Sequence, residues 1–252
     1  MINSPLLLLV DDSPEMAHIV GYLTRRAGQN LVCRSTVSHG WDYIQDTNSL
    51  TPDLILLDLN LPGDGGFELH RRIKEEEQKR LMPPVALFTQ WAQTGLIAEM
   101  IDAGLDFFIC KDLLGQPDEW KARVDEVLTL AADPPTAPTP LQVAQLRAPA
   151  VVAQSIREAL SHPSLRGVGF EVIQSMAWRA LDRAVATPGC QPGIDVRFLG
   201  GMVMGDLAPL TNCRPIFLSQ LVRSLVYQAE CLLGSVVSEP LRMALAKAVD
   251  GL

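Results

Sequence analysis

The feature that most constrains this 252-residue chain is an alternation confined to its first half. Five short apolar runs, LLLLV (6–10), LVC (31–33), LILLDL (54–59), VALFT (85–89) and DFFICK (106–111), are each followed by a segment of helical pattern. The first such segment has a complete start signal. Ser13 can cap it, Pro14 takes its first position, and Glu15 faces the positive end of the helix dipole. Met16, Ile19, Val20 and Leu23 then share one face. HGWDYIQD, FELHRRIKEEEQ, TGLIAEMIDAG and DEWKARVDEVLTL repeat the arrangement, the last with Trp120, Val124, Val127 and Leu128 aligned. Runs this uniformly apolar are covered on both faces, so the pattern predicts an α/β unit around a five-stranded parallel sheet.

Ligands of such sheets bind outside the carboxyl ends of the strands, which directs attention to what each run ends on. The first stops at Asp11 and Asp12, the third at Asp58 with Asn60 beyond it, the fourth at Thr89 and the fifth at Lys111. Three carboxylates meeting in one crevice repel one another, and each raises the cost of ionising the others. A hard divalent cation relieves that repulsion, and Mg²⁺ suits a site of few carboxylates, waters and a phosphate oxygen. An aspartate can serve as a nucleophile in phosphoryl transfer, a chemistry that depends on positioning and charge neutralisation. Singly, each residue reads as a turn or capping group. The signal lies in the set, each member at the end of its own strand.

With those residues in place, residues 5–130 resemble the receiver domain of bacterial two-component response regulators. The resemblance is carried by LLLLVDDSPE, PDLILLDLNLPGDGGFEL, VALFT and DAGLDFFICKD. It implies a flavodoxin-like, doubly wound sheet of order 2-1-3-4-5. It implies that Asp58 accepts a phosphoryl group from a sensor histidine kinase or phosphotransfer protein. Mg²⁺ would be held by Asp11, Asp12, Asp58 and the backbone carbonyl of Asn60. Lys111 would pair with the phosphoryl group, Thr89 would move to bond it, and Phe108 would be the aromatic that swings inward with it. Pro62 and Gly66 match the turn after the phosphoacceptor. The surface over the fourth helix, fifth strand and fifth helix would then change, phosphate biasing a pre-existing equilibrium. Two places depart from the family pattern. Gln90, followed by Trp91, stands where the family has a small residue, and Asp112 stands where it has a proline.

The remainder is less legible. ADPPTAPTP (132–140) has four prolines in nine residues and reads as a stiff exposed linker. It separates a receiver unit over 1–131 from a mainly helical unit over 141–252. Charge shifts across it: residues 1–140 hold 21 acidic and 11 basic groups, residues 141–252 hold 8 and 10. Helices are expected at PAVVAQSIREALSH, GFEVIQSMAWRALDRAVA, FLSQLVRSLVYQAECLLG and EPLRMALAKAVDG, with a short hairpin from IDVRF and MVM. Over 218–233 a broad apolar stripe is set against Arg223, Tyr227 and Glu230. LSQLVRSLVYQA also looks like the asparagine-bearing helix of histidine-kinase ATP-binding domains, but Ser224 and Gln228 occupy the asparagine positions. No catalytic motif is recognised in this half, so no activity is read there beyond the receiver's own phosphoryl chemistry, and an uncatalogued enzyme stays open as a third reading of the output. The output is expected to be a protein-interaction or dimerisation module. The alternative is a transcription regulator with a divergent DNA-binding domain, although the half is only mildly basic. No apolar run approaches the length of a membrane span, and there is no secretory signal pattern, so a cytoplasmic protein is expected. Five scattered cysteines without C-x-x-C suggest neither a zinc site nor a disulfide framework.

Overall fold

The computed structural model describes residues 4–63, 65–90, 94–194 and 208–249. The five apolar runs form β1 (Leu6–Val10), β2 (Asn30–Arg34), β3 (Leu54–Leu57), β4 (Val85–Thr89) and β5 (Phe107–Cys110). They pair in parallel in the order β2-β1-β3-β4-β5, as the alternation and the resemblance imply. Leu7 to Leu9 of β1 and all four residues of β3 are fully buried. The helices between them are α1 (Pro14–Arg26), α2 (Val37–Gln45), α3 (Gly65–Glu77), α4 (Thr94–Asp102) and α5 (Pro117–Ala132). Ser13 caps α1 as its sequence predicts, accepting from the Met16 N–H at 3.2 Å.

The register brings the strand ends level. Leu7 lies beside Leu54 and Val10 beside Leu57, so β1 and β3 finish together. The Asp58 N–H donates to the Val10 carbonyl at 3.0 Å, carrying the ladder one step past both strands. Thr89 lies beside Cys110, which sets Lys111 one residue beyond the end of β4.

Packing divides the chain into two compact units, one of Met1–Gln93 with Ala103–Ala132, the other of Thr94–Asp102 with Asp133–Leu252. Thus α4, between β4 and β5 in sequence, packs with the helices of the second unit, principally α8 (Phe170–Ala186). Nothing in the sequence pattern marks α4 as different from the other helices of the first half.

The second unit also contains α6 (Pro140–Ala144), α7 (Pro149–Leu160), α9 (Pro215–Leu233) and α10 (Ser235–Leu245). Of the expected hairpin, MVM and all of IDVRF beyond Ile194 lie outside the described residues. Helix α9 is the centre of this unit, contacting α6, α7, α8 and α10. Its stripe of Leu218, Leu221, Val222 and Leu225 is fully buried, together with Phe217. The expected polar face is only partly outward. Tyr227 is 7% exposed, with the Arg183 guanidinium stacked 4.8 Å from its ring centroid. A helix surrounded on several sides has little solvent face to give, and Ser219, Gln220, Ser224 and Gln228 are buried as well.

Two boundaries differ from the sequence reading. Helix α10 starts at Ser235 rather than Glu239, because Gly234, at φ +79°, ends α9 and lets a new helix begin at once. The Ser238 N–H donates to the Gly234 carbonyl at 3.0 Å, and Pro240 falls inside the helix, where its missing N–H removes one main-chain bond. The proline-rich stretch is mostly exposed but not free-standing. Arg223 Nη1 donates to the Thr136 carbonyl at 3.1 Å, and Gln220 Nε2 reaches the Pro135 carbonyl at 3.5 Å. The stretch runs into α6 through a capping box: the Thr139 N–H donates to Gln142 Oε1 at 2.8 Å, and the Gln142 N–H to Thr139 Oγ1 at 3.3 Å.

Truncating Phe217 should test the central role of α9. Phe217→Ala is expected to lower the unfolding free energy by about 3–5 kcal/mol, the usual cost of deleting a buried aromatic ring, measured by urea denaturation followed by circular dichroism.

Candidate functional site

The strand ends converge as the parallel sheet requires. Asp11, Asp12 and Asp58 each offer a carboxylate oxygen, and these atoms lie within 4.8 Å of one another. Asp11 and Asp58 are each 4% exposed, while Asp12 faces solvent. Lys111 enters from the end of β5 and places Nζ 2.9 Å from Asp11 Oδ2 and 3.2 Å from Asp58 Oδ1. Thr89 completes β4 and is buried. Asn60 lies two residues beyond Asp58, and its backbone N–H bonds the Asp58 carboxylate. The structure therefore brings Asp11, Asp12, Asp58 and Lys111 into contact distance, with Thr89 at the neighbouring strand end.

Three local features shape the chain around these side chains. The Ser13 N–H donates to Asp11 Oδ1 at 2.9 Å, fixing that side chain at the start of α1. Behind Asp58 the chain turns sharply through Gly63 and Gly65, at φ +82° and +68°. Gly66 then crosses directly behind Asp58. A Cβ there would sit 2.3 Å from the Asp58 carbonyl oxygen, a main-chain atom that cannot yield. After β5, residues Lys111–Gly115 form a 3-10 turn, in which the Cys110 Sγ accepts from the Asp112 N–H at 3.4 Å. No peptide among the described residues is cis, so the chain passes through Asp112 in the ordinary trans form.

The electrostatics of Asp58 follow from its burial. Desolvation raises its pKa above the ordinary 3.8, the Lys111 ammonium opposes the rise, and the charge of Asp11 adds to it. Lys111 is shared: it donates to Asp11 Oδ2 at 2.9 Å and lies 3.2 Å from Asp58 Oδ1, one ammonium among three carboxylates. Three carboxylates set against a single ammonium leave an excess of negative charge, which fits a hard cation with oxygen ligands. Asp11, Asp12 and Asp58 are of the type to hold one.

Phe108, the expected mobile aromatic, is already buried at 3% exposure. Sequence reasoning missed the group that fixes its backbone. Arg123 Nη2 and Nε donate to the Phe108 carbonyl at 2.9 and 3.2 Å. Arg123 sits fifteen residues away on α5, and no local pattern signals such a clamp. It also missed Ser13 as a donor to Asp11, although its capping role was plain. Gln90 is exposed, and Trp91 lies outside the described residues.

Because burial raises the pKa of Asp58, its charged form opposes folding. That cost is absent below the ordinary carboxylate value, grows as pH passes the raised value, and is full at neutral pH. Asp58→Asn should therefore raise the melting temperature at pH 7 without divalent cation. The rise should shrink as pH falls toward 4. Differential scanning calorimetry at several pH values checks both the sign and its disappearance.

The family model of the response regulator receiver domain matches residues 7–125. The transcriptional regulatory protein BaeR of Escherichia coli is 31% identical over 126 residues, covering 50% of this chain and 49% of BaeR. The nitrate/nitrite response regulator protein NarL of Escherichia coli is 30% identical over 142 residues, covering 56% of this chain and 63% of NarL. The solved response regulator receiver domain protein of Methanospirillum hungatei JF-1 is 23% identical, with a TM-score of 0.42, over 50% of this chain and 95% of that one. The chain thus spans less than two thirds of either curated relative, and the family match ends at residue 125. Among the described residues no helix is long and apolar enough to cross a membrane. The strand order, the level strand ends and the match over 7–125 agree: this segment is a response regulator receiver domain.

Proposed function

We propose that Asp58 is a phosphoacceptor and that the chain is the response regulator of a two-component phosphorelay, with a sensor histidine kinase or phosphotransfer protein as donor. The observation that carries this reading is the Lys111 ammonium beside both buried carboxylates, at the meeting point of three aspartates. In the transfer, an Asp58 oxygen attacks the phosphorus of a phosphohistidine. The new P–O bond forms as the P–N bond breaks, and its electron pair leaves on the imidazole nitrogen. Lys111 holds Asp58 ionised against its desolvation and then pairs with a phosphoryl oxygen. Thr89 lies at the end of the adjacent strand to donate its hydroxyl to another. Mg²⁺ held by Asp11, Asp12, Asp58 and the Asn60 carbonyl would neutralise phosphoryl charge.

The output of this switch is proposed to be protein interaction or dimerisation through the second unit. Helix α9 does not supply the surface, because its stripe is spent inside its own unit. Helix α10 leaves Val236 (87% exposed) and Met243 (62% exposed) facing water. BaeR is by its name a transcriptional regulator, which favours DNA binding as the second reading. Against it, Arg242 of α10 is engaged by Glu239 at 2.5 Å, and its exposed neighbours offer few donors to base edges.

The test is incubation with radiolabelled acetyl phosphate and Mg²⁺. Wild type should take up acid-stable, hydroxylamine-labile label, and Asp58→Asn none. Lys111→Ala should slow uptake by about 100-fold, as loss of one charge-stabilising group in a buried site does. Label that persists in Asp58→Asn would overturn the assignment.

A further inference from the structure

Phe88 is the residue before Thr89 on β4, and strand alternation turns it to the opposite face of the sheet. It is fully buried. The Trp120 ring of α5, also fully buried, packs edge-on against it, with centroids 5.8 Å apart and planes at 75°. Lys111 Nζ lies over the Phe88 ring, 5.2 Å from its centroid. The same ammonium is 2.9 Å from Asp11 Oδ2 and 3.2 Å from Asp58 Oδ1. The lysine head is therefore flanked by two carboxylates and by an aromatic face whose orientation a second ring fixes.

We propose that Phe88 is a positioning residue for phosphoryl transfer, using the negative face of its ring to keep the Lys111 ammonium at Asp58 as its partner changes from carboxylate to phosphoryl oxygen. This rests on the reading of Asp58 as the phosphoacceptor. Lysine is a point charge on a flexible four-carbon stem, and in an exposed site its head wanders. A ring face attracts the charge without accepting any particular N–H, so the ammonium can turn while staying where it is. That freedom matters here. When Asp58 gains its phosphoryl group, about one further negative charge and three new acceptor oxygens enter the site. The ammonium donates to Asp11 Oδ2 at 2.9 Å and must turn away from the Asp58 carboxylate, 3.2 Å off, to follow. On the ring it can swivel. An aliphatic side chain at position 88 would fill the same space without attracting the charge. Trp120 acts one step further back, by preventing the Phe88 ring from rotating its edge toward the cation.

The alternative is that Phe88 only fills core volume. Replacing it by mono-, di- and trifluorinated phenylalanine separates the two, because fluorine drains the ring face and changes its shape little. Each full-length variant is assayed for phosphorylation across a range of acetyl phosphate concentrations with Mg²⁺, for beryllofluoride affinity, and for melting temperature. Stepwise loss of both phosphorylation rate and beryllofluoride affinity is expected along the series, reaching about fivefold at three fluorines, with the melting temperature nearly constant. Phe88→Leu should fall at least as far. If wild type takes up label and the fluorinated series is flat, the positioning role is wrong and Phe88 is packing alone. If wild type takes up no label, the phosphoacceptor reading fails, and this inference with it.

Discussion

One ammonium makes the receiver's crevice tenable. Asp11 and Asp58 are almost fully withdrawn from water within reach of each other's charge, an arrangement that desolvation and repulsion both oppose. Lys111, delivered from the next strand but one, reaches both and has little exposure of its own. Its attraction does not cancel the burial of Asp58, whose pKa stays raised. With three carboxylates and one ammonium, the site is left short of positive charge. That residual deficit is what the proposed cation binding and phosphoryl transfer would draw on.

The backbone is shaped around this deficit. A parallel sheet puts every strand's carboxyl end on one side, and the register of β1 against β3 levels Asp11 with Asp58 to within a residue. Gly66 lets the chain pass behind Asp58 at a distance no other side chain permits. These are main-chain requirements, and they act on positions that touch no substrate.

The second unit obeys a different logic. Its organising element is α9, and its cohesion comes from burying one helix among several. That leaves buried hydroxyls and amides, at Ser219, Gln220 and Ser224, on a helix whose sequence reads as a simple amphipathic stripe. It also recruits segments the sequence assigns elsewhere. The proline-rich stretch is held along α9 by Arg223 and Gln220, and α4 packs on α8 although it lies between two strands of the sheet.

The sequence by itself determined the α/β alternation, the identity of the strand-end residues and the start of α1. Each of these is a local pattern, written in consecutive residues whose hydrophobicity and capping chemistry act over a few positions. It also carried the capping box at Thr139, unread because prolines surround it. Only the tertiary structure decided that Arg123 grips the Phe108 carbonyl, that Phe88 lies beneath Lys111, that Tyr227 is buried, and that α4 packs with the second unit. Those depend on which residues meet after the chain has crossed itself. Contacts between side chains fifteen to a hundred residues apart leave no periodic trace, since any residue of suitable size and charge fits the local pattern equally well.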